Sequence, residues 1–263
     1  MTSAAPAGPV SYEARPPKAT ITIDREDRRN AIDPAVVAGL RAGLARAAAD
    51  DAIRVVVLTG AGERAFCAGA DLGGMTADSR VKLHFQRAEV AELFAEMRTL
   101  ELPIVARVNG HALAGGFGLM LACDLAVAAD DAVFATPEID LGLWPFMITA
   151  VIQRAVPRKL ALELMLTGRR ITAAEAAAAG IVNRVVPRAE LDAAVDELAG
   201  TLAAKSRLIV GLGKRSFYRA EGMDFDDALD YLAGMLTLCL ESDDAIEGVS
   251  AFLQKRPPQW KGR

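Results

Sequence analysis

Residues able to do chemistry concentrate in three short stretches of this sequence. Two of them are rich in backbone rather than in side chain: 66–71 (FCAGAD) and 114–118 (AGGFG), each entered from an apolar, β-branched run. A strand that passes through such a turn leaves main-chain N–H groups without partners, and small side chains let a carbonyl oxygen approach them. If the two loops face one another, each can offer one N–H to the same oxygen. Two such donors form an oxyanion hole, in which each is worth about 3–4 kcal/mol to a transition state with charge on that oxygen. The third stretch holds Glu138, which follows Pro137 in the apolar setting AVFATPEIDLGLWPF. Desolvation there raises a carboxyl pKa towards the range useful for acid–base work. Each feature also has a plainer reading: the glycine pair as a close-packed turn, Glu138 as a solvated loop carboxylate. The residue types leave both open.

Other chemistries find little footing. There is no GxSxG, no HExxH and no histidine beside a plausible nucleophile, which disfavours serine and metal hydrolysis. With only His84 and His111 present, a multi-histidine metal centre is not expected. His111, just before a buried turn, reads as structural, with a role as second ionisable group left open, and His84 as a surface residue of a long helix. Asp71 and Asp124 read as caps. Gly60 and Gly62 are followed by Ala65, so the dinucleotide-binding pattern fails, and GLGKRS at 211–216 has too few glycines for a phosphate loop and follows helical sequence. Three cysteines (Cys67, Cys123, Cys239) with no CxxC spacing point to a reduced interior, with neither disulfide framework nor zinc site. A net charge of −4 argues against general nucleic-acid binding. No apolar run approaches the ~20 residues that span a bilayer, and the first residues lack the basic start and apolar core of a signal peptide. A cytoplasmic location is expected, with no membrane or nucleic-acid partner.

The elements that must position these stretches follow from periodicity and breakers. Residues 1–9 read as disordered. Residues 10–15 and 19–23 alternate as a hairpin about Pro16-Pro17. Asp33-Pro34 caps and opens a helix to about residue 50, and 54–59 (RVVVLT) is a buried strand. A glycine-rich loop spans 60–74. Residues 79–100 form an amphipathic helix leading to a buried strand at 103–108, broken by Asn109-Gly110. Residues 117–123, apolar all round, read as a helix sunk in the core. Short strands are expected at 125–128, 132–135 and 181–186, and helical sequence from 147 to 166. Thr172 and Glu175 form a capping box. From 188 onward the chain reads as helix at 188–205, 206–220, 225–241 and 243–254. An α/β body at 10–190 with a helical oligomerisation region at 191–263 is the expected organisation.

Five segments, in order, carry a resemblance. RRNAI (28–32), AFCAGADL (65–72), the long stretch from Val105 to Leu143, LTGRRITAAEAAAAGIVNRVVP (166–187) and EGVSAFLQKRPPQW (247–260) together resemble the crotonase superfamily, the enoyl-CoA hydratase/isomerase family, over nearly the whole chain. The resemblance implies a spiral of ββα turns, helices at the C-terminus that pack trimers, often stacked as hexamers, and an acyl-CoA thioester substrate held bent. Coenzyme A is then part of the substrate, and no other cofactor is expected. Carried over residue by residue, Ala70 and Gly115 supply the oxyanion N–H groups and Glu138 is the acid–base group. Ala68 and Leu72 contact the adenine end, and Phe252 and Lys255 close over a neighbour's nucleotide. Asp71, Phe117, Gly118, Pro137 and Trp144 are expected to contact substrate.

The departures from the pattern matter for function. Two-carboxylate hydratases of the family place a glutamate three residues past the oxyanion glycine, and here that residue is Gly118. Dienoyl isomerases and aryl dehalogenases place an aspartate eight residues past the retained glutamate, where this chain has Phe146. The run Trp144-Pro145-Phe146-Met147 replaces a glycine-rich stretch and implies a reshaped acyl pocket. The expected activity is of the enoyl-CoA hydratase/isomerase type, with a thioester enolate in the oxyanion hole and one glutamate moving the proton. A decarboxylase or hydratase-lyase of the family is the alternative, and a non-turnover acyl-CoA-binding homologue a further one.

Overall fold

The computed structural model describes residues 8–71, 73 and 79–263. Leu72 and residues 1–7 lie outside these. Among the described residues the chain runs β1 (Val10–Arg15), β2 (Lys18–Ile23), α1 (Pro34–Ala49), β3 (Val55–Gly60), β4 (Ala65–Cys67), α2 (Arg80–Thr99), β5 (Ile104–Val108) and β6 (His111–Leu113). It continues as α3 (Gly115–Leu121), β7 (Leu125–Ala129), β8 (Val133–Ala135), α4 (Phe146–Ala155), α5 (Arg158–Thr167), β9 (Ile171–Thr172), α6 (Ala173–Ala178) and β10 (Arg184–Val186). Four helices close it: α7 (Leu191–Ala203), α8 (Arg207–Ala220), α9 (Phe225–Leu240) and α10 (Asp243–Leu253).

The strands form two sheets. The larger has the order β1-β2-β3-β5-β7-β10, and the smaller β4-β6-β8-β9. β1 and β2 make the antiparallel hairpin expected from the sequence, and from β2 to β10 the large sheet is parallel. Three times over, a strand of the large sheet is followed by a short strand of the small one: β3 then β4, β5 then β6, β7 then β8. Each pair then feeds helical structure, so the ββ(α) unit repeats. β3 is buried at all six positions, because helices cover both faces of a parallel sheet and the alternation of an exposed strand disappears. One core lies between the sheets and α1, α2 and α3, around Ile21, Leu40, Phe66, Leu93 and Phe117. On the opposite face, Leu191, Ala194, Val195 and Ala199 of α7 pack on Val55, Val57, Val105 and Val127.

Several sequence expectations shift. The glycine-rich stretch expected as one loop contains β4, and a second short strand, β6, follows Asn109-Gly110. The helix expected to begin at residue 117 begins at Gly115. The helix expected over 147–166 is two, because the chain is extended at Val156 and Pro157, where ψ is 134° and 131°. A residue before proline is pushed out of the helical region, so the helix ends there. Helix caps match the sequence closely: Asp33 accepts from the Val36 N–H at 2.8 Å, Ser79 caps α2, and the Thr172–Glu175 box is formed in full.

Candidate active site

The register of the small sheet brings the three predicted stretches to one edge. β4, β6 and β8 are adjacent and parallel, with Cys67 opposite Ala112 and Leu113 opposite Ala135. Ala70, Gly115 and Glu138 follow the ends of those strands by two or three residues. Neighbouring strands lie about 4.8 Å apart, so the three loops leave side by side from the carboxyl edge, where parallel sheets present ligand sites.

Ala70 is bracketed by backbone. Ile32 N donates to Gly69 O at 2.7 Å and Asp71 N donates to Ile32 O at 2.8 Å, so the N–H of Ala70 points away from this bridge. It and the N–H of Gly115 find no carbonyl partner among the described residues. Their proximity shows in the space around Gly115, where an added Cβ would sit 3.6 Å from Gly69 Cα and 3.7 Å from Ala70 N. Such closeness needs the small residues that the sequence supplies. A Cβ on Gly69 (φ +95°) would meet Ala114 Cβ at 2.6 Å, and one on Gly116 would meet Cys67 O at 2.1 Å. Ala114 itself is held at φ 52°, ψ −129°, a conformation that costs an L-residue about 1–3 kcal/mol. Its N–H is fixed to Ala135 O at 2.9 Å, so the turn carrying Gly115 is tied to the strand that leads to Glu138.

Pro137 and Glu138 open a 3₁₀ turn, Pro137–Leu141. Glu138 is half-buried, and its Oε2 is enclosed without a hydrogen-bond partner among the described residues. Burial raises its carboxyl pKa above the ordinary value, opposed by a backbone hydrogen bond. Two positions before it, the fully buried Thr136 Oγ1 is likewise without a partner. Backbone donors for an oxygen near a carboxyl whose pKa is raised by burial have the chemistry to stabilise an enolate and move a proton.

A cleft of about 510 Å³ opens on the small sheet, walled mostly from the amino ends of β4, β6, β8 and β9 by Arg64, His111, Asp131 and Arg170, with Arg29, Glu63 and Arg188 beside them. Ala68 and Leu113 carry it towards the carboxyl edge, and Ala70, Gly115 and Glu138 lie outside its wall. Arg188 is engaged by Asp131 at 2.7 Å and by Asn109 O at 2.6 Å. Arg29, Arg64 and Arg170 form no ion pair among the described residues, and they concentrate positive charge on a chain of net charge −4. The sequence reading missed this convergence because the arginines come from four separate loops. A second, small apolar recess of about 60 Å³ lies behind Ala70 and Asp71, walled by Ile32, Val37, Leu83 and Val90. Among the described residues, no group of acidic, cysteine and histidine side chains is arranged to hold a metal ion.

Other predicted positions fare differently. Phe117, expected to contact substrate, is fully buried and packs on Phe134 with ring centroids 5.8 Å apart. It faces the core, because the exposed side of that helical turn belongs to Gly115. Gly118 is closed on its side-chain side: a Cβ there would lie 2.1 Å from Ile148 Cγ2 and 2.6 Å from Ile148 Cβ, so a side chain of α4 fills that space. Trp144 is half-buried against the core, while Phe146 is exposed. Asp71 caps Gly73 N at 3.2 Å and meets Arg25 Nη2 at 2.9 Å. Asp124, expected as a cap, instead accepts from Ile104 N (2.7 Å), Lys214 Nζ (2.7 Å) and Tyr218 OH (2.8 Å). That contact explains GLGKRS: it lies inside α8, where Lys214 docks the helix. Phe252 is 82% exposed, and neither it nor Lys255 lines the arginine cleft of its own chain.

The fold is one of paired sheets built from ββα units, with three loops gathered at one strand edge. The chain belongs to the enoyl-CoA hydratase/isomerase family, whose model matches residues 18–263. It is 35% identical over 269 residues to the enoyl-CoA hydratase domain-containing protein 3, mitochondrial, of Rattus norvegicus, covering 98% of this chain and 88% of the relative. To the carnitinyl-CoA dehydratase of Escherichia coli K12 it is 39% identical over 248 residues, 92% of this chain and 94% of the relative. Its fold matches the crystal structure of an enoyl-CoA hydratase from Mycobacterium smegmatis with a TM-score of 0.92 and 36% identity, covering 97% of this chain and 99% of that one. The crotonase-like α/β fold expected from the sequence is therefore present.

Proposed function

We propose that the protein acts on an acyl-CoA thioester by single-base proton transfer, with Ala70 and Gly115 as oxyanion donors and Glu138 as the only acid–base group. The observation that carries this reading is the exit of all three from adjacent strand ends, β4, β6 and β8. The carboxylate of Glu138 takes a proton from a carbon of the acyl chain, and the electron pair moves to the thioester oxygen. The two N–H groups hold that enolate oxygen, and Glu138 returns the proton at the same or another carbon. Charge at the oxygen is greater in the transition state than in the ground state, so these donors act on rate rather than on binding alone. Ile148 supports one base rather than two, since it fills the space over Gly118 that a second carboxylate would need.

The nucleotide of coenzyme A fits the arginine cleft. Ala68 lies in its wall beside Arg29, Arg64 and Arg170, and guanidinium groups match phosphate oxygens in pairs. The recess behind Ala70 is apolar enough for the first carbons of an acyl chain. The names borne by the relatives, enoyl-CoA hydratase and carnitinyl-CoA dehydratase, fit a CoA thioester. No helix of the described residues is long and apolar enough to cross a membrane, and the cytoplasmic location belongs to the same reading.

The test is Glu138→Gln, which keeps shape and hydrogen bonding but cannot cycle a proton. Exchange of solvent deuterium into crotonyl- and 3-hexenoyl-CoA, and turnover on them, should fall by the ~10²–10⁴-fold typical of general acid–base catalysis, with acyl-CoA affinity nearly unchanged. Wild-type exchange by the variant would move the chemistry to another residue.

A further inference from the structure

The tie that holds the oxyanion loop comes from a side chain outside it. Arg25 follows β2 and is only 17% exposed. Its Nη1 donates to Ala31 O at 2.7 Å and lies 3.2 Å from Asp33 Oδ2, while Nη2 donates to Asp71 Oδ2 at 2.9 Å. Ala31 directly precedes Ile32, and Asp71 directly follows Ala70. One guanidinium therefore grips both sides of the Ile32–Ala70 bridge. Its own backbone is pinned in turn, since Arg25 N donates to Asn30 Oδ1 at 3.1 Å. The fully buried Asn30 sends its amide to Ala61 O at 2.9 Å and Ala65 O at 2.7 Å, at either end of the turn into β4.

We propose that Arg25 is a positioning residue for the reaction: it fixes the Gly69–Ala70 peptide plane so that the Ala70 N–H converges with that of Gly115 on the thioester oxygen. This deepens the reading above and rests on Ala70 and Gly115 being the oxyanion donors. A rigid fork suits the task, because one guanidinium reaches three acceptors on two chain segments. The segment it holds passes through Gly69 at φ +95°, a position where glycine's conformational freedom lets the peptide plane turn if nothing outside fixes it. Hydrogen bonds weaken steeply with angle, and a displacement of about 1 Å at a reacting centre can cost about 10²-fold in rate. The sequence reading missed this role because Arg25 sits in the charged run DREDRRN, where nothing local separates it from its solvated neighbours.

The experiment reads the oxyanion hole itself. Butyryl-CoA labelled with ¹³C at the thioester carbonyl is bound to wild type, Arg25→Met, Arg25→Lys and Asp71→Asn. The carbonyl stretch is followed by isotope-edited infrared difference spectroscopy, beside kcat and butyryl-CoA affinity. In wild type the bound stretch should lie below that of the free thioester. Arg25→Met should lose most of that shift and about 10–100-fold in kcat, with affinity within about threefold, since removing an oxyanion donor outright costs ~10²–10³-fold. Arg25→Lys keeps the charge without the fork and should fall between. Should Arg25→Met not fold, the other two variants carry the same comparison. A wild-type stretch and kcat in any folded variant that breaks the Arg25–Asp71 contact overturns the assignment. A wild-type enzyme with no shift overturns the oxyanion reading instead, so the two failures are distinguishable.

Discussion

Burial of Glu138, the base of the proposed reaction, also bears on the stability of the fold. Its folded-state pKa is raised, so the neutral carboxyl is favoured by the native environment over the charged one. The stability this contributes is fully present below the ordinary carboxyl value of 4.5 and is lost as pH rises through the higher folded value. At neutral pH, where the group must be charged to act as a base, the fold therefore carries a destabilising carboxylate. Glu138→Gln should raise Tm at pH 7, and the gain should shrink towards nothing below the ordinary carboxyl range. A Tm difference independent of pH would remove the desolvation argument. The same shift places the acid limb of kcat/KM above the pH of an unperturbed carboxylate. Of the residues of the candidate site, Gly69, Ala70, Gly115 and Glu138 could be singled out from sequence because their types answer local demands. Ile148 was not, because it reaches Gly118 from a different helix. Phe117 was misread for a related cause: sequence adjacency to Gly115 does not say which side of the turn a side chain takes.

At the scale of elements, the pair Asp124–Lys214 joins α8 to the start of β5. Lys214 Nζ bonds both Asp124 Oδ2 and Leu102 O, at 2.7 and 3.0 Å, and its side chain is only 8% exposed. Burial lowers the Lys214 pKa while Asp124 opposes the shift. Breaking one partner of such a buried pair leaves the other without its counter-charge, at a cost of about 3–5 kcal/mol. Lys214→Met should lower unfolding free energy in urea by roughly that amount, with amide exchange rising first along α8. Tyr218→Phe removes one hydrogen bond to the same carboxylate and should cost only about 1 kcal/mol. A loss as small in Lys214→Met would mean that α8 is held by its other contacts, such as Arg207 Nη2 to Ala48 O at 2.7 Å and Arg98 Nη2 to Tyr218 O at 3.1 Å, rather than by this pair. Long elements with caps and periodicity, such as α1, α2 and α10, could be read from sequence almost to the residue. β4 and β6 could not, since three-residue strands lack a period to detect and their pairing is non-local. Those two strands set the positions of Ala70 and Gly115, so the site's composition was visible where its geometry was not.

For the whole molecule, the C-terminal helices present their large apolar side chains to the outside. Phe217, Phe225, Leu229, Leu236, Leu240, Ile246, Val249 and Phe252 are all exposed large hydrophobics on α8, α9 and α10, and none of α9 is buried within one chain. Large exposed apolar side chains gathered on neighbouring helices are characteristic of interfaces, and closed rotational symmetry is the usual way for identical chains to cover them. The expected assembly is the trimer or hexamer implied by the family resemblance, and light scattering at micromolar concentration should return that mass. Phe252 and Leu253 stand free of their own chain's core, so the double change Phe252→Asp, Leu253→Asp should leave the protomer folded by circular dichroism while reducing the assembled mass. Its consequence for ligand binding separates two roles for this region. If the neighbour's Phe252 and Lys255 close over the nucleotide, the dissociated variant should bind butyryl-CoA more weakly than wild type. Lys255→Ala in the intact assembly should weaken it as well, more at low ionic strength than at high, because salt screens the charge that is removed. Dissociation with unchanged affinity would confine nucleotide recognition to the chain's own arginine cleft. A wild type that is monomeric at micromolar concentration would remove both roles at once.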